Sequence, residues 1–137
     1  MSDCVFCNIV SGLIPSAKVY EDGLTLAFMD IGEVNPGHVL VAAKPHVENI
    51  FGLDDALAGA VFQTAARVAR AVKKVYSPEG VTLYQANGAA AGQTVYHFHL
   101  HLVPRYDGDG MRLVWPAKNP PRGQLEANAA RLRAALE

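Results

Sequence analysis

Residues 92–105 read Gly-Gln-Thr-Val-Tyr-His-Phe-His-Leu-His-Leu-Val-Pro-Arg and hold three of the five histidines of the chain. His97, His99 and His101 alternate with Phe98, Leu100 and Leu102, the period-two pattern of a strand with one imidazole face and one apolar face. At a rise of roughly 3.3 Å per residue, the Cα atoms of His97 and His101 lie about 13 Å apart on a regular strand, too far to share one metal ion. The three rings must therefore divide their labour. A purification tag or metal-scavenging tract also concentrates histidine, but such tracts are not interleaved with side chains built for a core. Three imidazoles on one face, behind a polar glycine-bearing loop, read as a site.

The loop is residues 87–94, Asn-Gly-Ala-Ala-Ala-Gly-Gln-Thr. It lacks the Gly-Lys-Ser/Thr ending of a Walker loop and leads into a strand rather than a helix. Gly88 and Gly92 allow close backbone approach, backbone N–H groups can face an anion, and Asn87, Gln93 and Thr94 add polar side chains. Nothing in it demands magnesium. Read alone, it is a permissive connection.

Upstream, Asp3 is positioned to cap a short helix reaching about Val10, ended by Gly12 and Ile14-Pro15. Residues 19–21 and 24–30 flank Asp22-Gly23, which predicts antiparallel strands joined by a type I′ turn. Asn35-Pro36-Gly37 is a turn, and His38 opens a strand over 39–43 that stops before Pro45, with His46 following. Leu53, Leu57, Val61, Ala65, Val68, Val72 and Val75 recur at spacings of three and four, predicting an amphipathic helix over 53–76 with Asp54 as its cap. Lys73 and Lys74 suit its C-terminus. A strand follows over 81–86, and the histidine strand is expected from Val95 to about Val103. In the tail, Leu125, Leu132 and Leu136 suggest a final short helix, and Trp115 is expected to cover a core edge.

A chain of 137 residues, half of them hydrophobic, is expected to form one domain with a core of its own. A net charge of −1 argues against a broad electrostatic grip on nucleic acid or anionic membrane. No apolar run approaches the roughly 20 residues of a spanning helix, and Met-Ser-Asp-Cys does not read as a signal peptide, so a soluble cytoplasmic protein is expected. Cys4 and Cys7 are the only cysteines. Their C-x-x-C spacing supplies two of the four ligands of a tetrahedral zinc, leaving histidines to supply the others; the plain alternative is two thiols buried beside Val5, Phe6, Ile9 and Val10.

Gly92-Gln93-Thr94 followed by His97-x-His99-x-His101 resembles the signature of the histidine triad (HIT) family of nucleotide hydrolases and transferases, most closely its Hint-like branch. Cys4-Val5-Phe6-Cys7, the strand 26–30, Pro36-Gly37-His38 and Asn87-Gly88 fall in the family's order, so the likeness covers residues 3–106, and 107–137 form a weakly matching tail. The resemblance implies an α+β fold: an antiparallel sheet of about five strands, one long helix and short terminal helices, assembled as a homodimer. It implies attack by His99 on the α-phosphorus of a nucleoside phosphoramidate or dinucleoside polyphosphate, with His101 touching the phosphate or leaving group and His38 completing the site. Asn87, Gly92, Gln93 and Thr94 would hold the phosphate region, Asp30 the ribose hydroxyls, and Phe6, Ile9, Phe28 and Ile31 the purine base. By likeness to the related galactose-1-phosphate uridylyltransferases, Cys4, Cys7, His46 and His97 would hold a structural zinc. Two other readings compete: a zinc hydrolase whose triad histidines bind a catalytic metal, and a non-catalytic nucleotide-binding or scaffold protein. Alanine and valine on the 53–76 helix and near Val81 suggest the face through which copies would pair.

Overall fold

The computed structural model describes residues 2–137. The elements run α1 (Val5–Val10), β1 (Lys18–Glu21), β2 (Thr25–Met29), β3 (Val39–Ala43), α2 (Asp55–Tyr76), β4 (Gly80–Tyr84), β5 (His99–Arg105) and α3 (Arg122–Ala135). One five-stranded sheet has the order β1-β2-β3-β5-β4, and every neighbouring pair is antiparallel. The fold is the α+β arrangement that the resemblance implies.

Central β3 is buried at all five positions because both faces of the sheet are covered. On one face, Leu57, Val61, Ala65, Val68 and Val72 of α2 pack on Ala27, Val39, Val41, Leu100 and Leu102. Their three- and four-residue spacing places them on a single stripe of the helix. On the other face, Phe6 of α1 packs with Leu26, Phe28, Leu40 and Ala42. The two-residue alternation of β5 thus sends Phe98, Leu100 and Leu102 toward α2 and the imidazoles toward α1. Thr25 and Thr64 satisfy each other across the β2–α2 boundary, their hydroxyl oxygens 2.7 Å apart and buried.

Asp54 caps α2 as expected, its carboxylate accepting from the Leu57 N–H at 2.8 Å. Other local expectations give way to stronger partners. α1 is capped by Cys4 rather than Asp3, with Sγ accepting from the Cys7 N–H. The β1–β2 hairpin forms, but not through a type I′ turn, which needs positive φ at both central residues. Neither Asp22 nor Gly23 has it. Instead Asp22 Oδ1 accepts from the backbone N–H of Leu24 and Thr25, at 2.9 and 2.8 Å, and builds the turn with its own carboxylate. β5 starts at His99, not Val95. The Ala43 carbonyl that would continue the ladder is taken by the His97 ring, and the Phe98 N–H turns to the Val47 carbonyl. β4 ends at Tyr84 rather than Ala86, and Gln85, Ala86 and Asn87 start the loop.

The tail departs furthest from expectation. α3 is fourteen residues long and buries none of them, because its leucines find no partner surface among the described residues. Trp115 is 78 % exposed and covers no core edge. No helix among the described residues is long and apolar enough to cross a membrane.

Candidate active site and metal centre

The register of β3 against β5 sets Leu40 opposite His101 and Ala42 opposite His99, so small and aliphatic neighbours leave the rings room on the α1 face. His99 meets the Phe6 ring edge-on, the centroids 4.9 Å apart. Its Nδ1 lies 2.7 Å from the His97 carbonyl oxygen. A carbonyl only accepts, so Nδ1 carries the proton and the neutral ring keeps its lone pair at Nε2. Burial lowers the His99 pKa, against the raising effect of the bond to His97 and of Asp30, so the neutral form dominates at pH 7. His99 and His101 line a cleft of 380 Å³ whose other walls include Phe6, Ile9, Phe28, Asp30, Ile31 and Thr94.

Beside it, His38 is buried and its Nδ1 accepts from the Val34 N–H at 3.2 Å. The neutral ring must then carry its proton at Nε2, which lies 3.0 Å from His101 Nδ1 and 3.3 Å from Asp30 Oδ2. His38 therefore donates, His101 Nδ1 accepts, and the His101 proton is fixed at Nε2. Burial, together with like charge on His99 and His38, pushes the His101 pKa down to about 4 against the pull of Asp30. Asp30 is anchored by its other oxygen, which accepts from the Gly32 N–H at 2.7 Å.

The second cluster lies where β5 has not yet begun. His97 is fully buried and donates Nε2–H to the Ala43 carbonyl, which leaves the Nδ1 lone pair free. Around that atom sit Cys4 Sγ at 3.3 Å, Cys7 Sγ at 3.5 Å and His46 Nδ1 at 3.2 Å; Cys7 Sγ is 3.3 Å from His46 Nδ1. All four candidate ligand atoms fall within 4.8 Å of one another. A tetrahedral ion about 2.3 Å from sulfur and about 2.05 Å from nitrogen separates its N···N and N···S ligand pairs by roughly 3.3 and 3.6 Å, so the donor set fits zinc in chemistry and in spacing. The backbone carbonyl behind His97 is the usual second partner of a metal-bound imidazole. Without an ion, partial burial, with Cys4 beside it, pushes the Cys7 thiol up to about 11, so metal binding would release protons. Asp30, His38 and His101 also bring three ligand atoms within 4.8 Å, but there His38 offers Nε2 as an N–H, not as a lone pair.

Comparison with known proteins decides the family. The model of the HIT domain matches residues 11–108. The chain belongs to the HIT family. It is 47 % identical over 114 residues, 82 % of this chain and 79 % of the relative, to Protein hit of Bacillus subtilis. It is 36 % identical to the adenosine 5'-monophosphoramidase hnt1 of Schizosaccharomyces pombe, over 83 % of this chain and 84 % of that one. Among solved structures, a HIT family protein from Bacillus anthracis superposes with a TM-score of 0.96 at 40 % identity, covering 99 % of both chains. A Zn-bound histidine triad family protein from Mycobacterium smegmatis gives 0.76 at 34 % identity, covering 98 % of both.

In this HIT domain two residues expected to hold phosphate are occupied within the loop. Gln93 is buried; its Oε1 accepts from the Gly88 N–H at 2.7 Å and its Nε2 donates to the carbonyls of Glu48 and Val95 at 2.7 and 3.1 Å. Asn87 Oδ1 accepts from the Ile50 N–H at 2.8 Å, and its amide pairs with Gln85. Both side chains tie the loop to the segment after His46. Thr94 is exposed and lines the cleft, and Gly92 adopts φ +91° at the loop's last turn. Ile31 is fully exposed at the cleft rim. The groups that assign the ring protons, the Val34 N–H and the Ala43 carbonyl, are backbone atoms and carry no signal in residue identity.

Proposed function

We propose that this HIT protein is a nucleotide hydrolase or transferase acting at the α-phosphorus of nucleoside monophosphate derivatives through a nucleotidyl group carried on His99. One observation bears most of the weight: the His97 carbonyl holds the His99 proton at Nδ1, leaving an unprotonated Nε2 on a ring that lines the cleft. As Nε2 bonds to phosphorus, the bond to the leaving group breaks. The leaving group departs with that electron pair and a proton from solvent. Water then adds at phosphorus and gives a proton to solvent, the electron pair of the N–P bond returns to Nε2, and the nucleoside monophosphate is released. The His101 N–H, with the Thr94 hydroxyl on the cleft wall, would stabilise charge on the phosphoryl oxygens.

Phe6, Ile9, Phe28 and Ile31 give the cleft an apolar wall suited to a purine, and Asp30 retains lone pairs for ribose hydroxyls. No lysine or arginine among the described residues lines this cleft or the larger one beside the metal centre. That favours substrates with a single phosphate, such as nucleoside phosphoramidates, over the charged chain of a dinucleoside polyphosphate. The name of the fission-yeast relative, a monophosphoramidase, supports the same reading. Cys4, Cys7, His46 and His97 would hold zinc as a closed four-ligand structural ion. The His38 tautomer speaks against a catalytic metal at the triad. A homodimer is proposed through edge strand β4 and α2, where Phe62, Val75, Val81 and Leu83 are exposed.

Intact-protein mass spectrometry of wild type quenched during turnover of adenosine 5'-phosphoramidate should show an adenylyl adduct that His99→Ala lacks. An adduct persisting in His99→Ala would place the nucleophile elsewhere.

A further inference from the structure

Asp109 lies one residue beyond the matched HIT region, and its side chain is 6 % exposed. It receives five donors: Arg105 Nε at 2.7 Å, Arg105 Nη2 at 3.1 Å, Asn35 Nδ2 at 2.9 Å, and the N–H groups of Tyr106 and Met111 at 3.2 and 3.0 Å. The Arg105 guanidinium, with these N–H groups, holds its carboxyl well below the usual carboxylate range. Such a saturated carboxylate is fixed in place, and what it fixes in turn is the buried amide of Asn35.

Asn35 belongs to the turn that carries His38. Its carbonyl accepts from the His38 N–H at 3.1 Å, while its Nδ2 bridges Asp109 and, at 2.8 Å, the Pro104 carbonyl of β5. The same turn supplies the Val34 N–H that sets the His38 tautomer. Gly37 adopts φ +93° there, and a Cβ on it would stand 2.8 Å from the Tyr76 ring, so the turn is seated tightly; its backbone joins the sheet only at its last residue, where the His38 carbonyl accepts from the Asp30 N–H at 3.1 Å. A closed circuit of contacts results. It runs from His38 through Asn35 to Asp109, through Arg105 onto β5, back along β5 to His101, and across 3.0 Å to His38. Arg105 stands four residues past His101 on one strand, so the circuit fixes the two rings relative to each other.

We infer that Asp109 is a positioning residue for the His38–His101 pair, acting through Asn35 and the 34–38 turn. The inference rests on the proposed α-phosphorus chemistry only for its catalytic consequence. When Asp109 is removed, the turn loosens, His38 ceases to be a fixed donor to His101 Nδ1, and the His101 proton redistributes between its two nitrogens. A ring presenting a lone pair at Nε2 repels a phosphoryl oxygen instead of donating to it. Substrate binding, which rests mainly on the apolar wall of Phe6, Ile9, Phe28 and Ile31, changes little.

The test uses Asp109→Ala, Asn35→Ala and the double variant in the full chain, with ¹⁵N NMR of the imidazoles without substrate and steady-state kinetics with adenosine 5'-phosphoramidate. Asp109→Ala should turn the single Nε2–H spectrum of His101 into a mixture. It should lower kcat by on the order of 10²-fold, with KM within about twofold of wild type, since loss of a transition-state contact lowers kcat without touching ground-state binding. The double variant should be no worse than Asn35→Ala, because the two residues act in series. If Asp109→Ala does not fold, Asp109→Asn, which keeps the shape and removes the charge, takes its place with the same expected direction. An unchanged His101 tautomer in a folded variant, or losses that add in the double variant, overturns the inference. Absence of turnover by wild type would instead count against the proposed chemistry, and the tautomer spectra would still decide the role of Asp109.

Discussion

Two imidazole clusters of this protein, built from one residue type on and beside one strand, present opposite nitrogens to their neighbours. His97 donates Nε2–H to the Ala43 carbonyl and keeps a bare Nδ1 among two sulfurs and a second imidazole. His38 accepts the Val34 N–H at Nδ1 and so meets His101 and Asp30 as a donor. A backbone carbonyl behind a histidine leaves a lone pair on the far nitrogen, for a metal ion or an electrophile; a backbone N–H behind it leaves a proton donor there. Peptide orientation, more than residue identity, separates the two clusters. His99 stands between them, bonded to the carbonyl of a residue in the first cluster and lining the same cleft as the second.

The largest expected effect separates the middle ring from the metal cluster. His99→Ala should lower turnover on the order of 10⁴-fold or more with metal content and melting temperature close to wild type, whereas His97→Ala should lose the metal and stability together. Turnover assays, elemental analysis and thermal melts on the two variants decide this. A catalytic defect in His97→Ala with zinc fully retained would break the division of labour.

Metal removal comes next. With free zinc at about 1,000 times Kd, binding to the folded chain alone adds about 4 kcal/mol. A chelator should therefore lower the melting temperature of wild type and leave Cys4→Ala unmoved. Equal melts of wild type with and without chelator, on protein shown to carry zinc, would contradict the role given to the first cluster.

Acidity should then touch the second cluster. The folded His101 pKa of about 4 lies below its ordinary value of 6.5, so the unfolded chain binds more protons between them. The stabilisation from this ring is fully present above pH 6.5 and is lost as pH falls toward 4. Urea titrations at pH 7, 5.5 and 4.5 should give falling stability in that order; a rise on acidification would show that the ring is charged in the fold. The smallest effect belongs to His46→Cys. His46 is the exposed ligand of the cluster, and a Cys₃His set is as good a structural zinc site, so metal content and turnover should stay near wild type.

Much of this was legible in the sequence. The alternation of His97, His99 and His101 with Phe98, Leu100 and Leu102 declared one face for the core and one for the imidazoles. The spacing of Leu57, Val61, Ala65, Val68 and Val72 declared α2. His97 and His101, too far apart along the strand to share an ion, fall into separate clusters. What stayed hidden rests on groups that every residue carries or on polar side chains with two uses. Asp22 and Gly23 suit a type I′ turn, yet the Asp22 carboxylate bonds forward and makes another. Asn87 and Gln93 carry the right groups for phosphate, yet backbone N–H and C=O partners claim them. Trp115 and the leucines of α3 look like core residues, yet among the described residues they stay exposed.

The central claim, that backbone partners assign each ring its task, is tested most directly by long-range ¹H–¹⁵N NMR of the imidazoles in zinc-loaded wild type at pH 7. The account predicts metal-bound Nδ1 at His46 and His97 with Nε2–H at His97, Nε2–H at both His38 and His101, and Nδ1–H at His99. A metal-bound nitrogen at His38 or His101, or a proton on His99 Nε2, would contradict it.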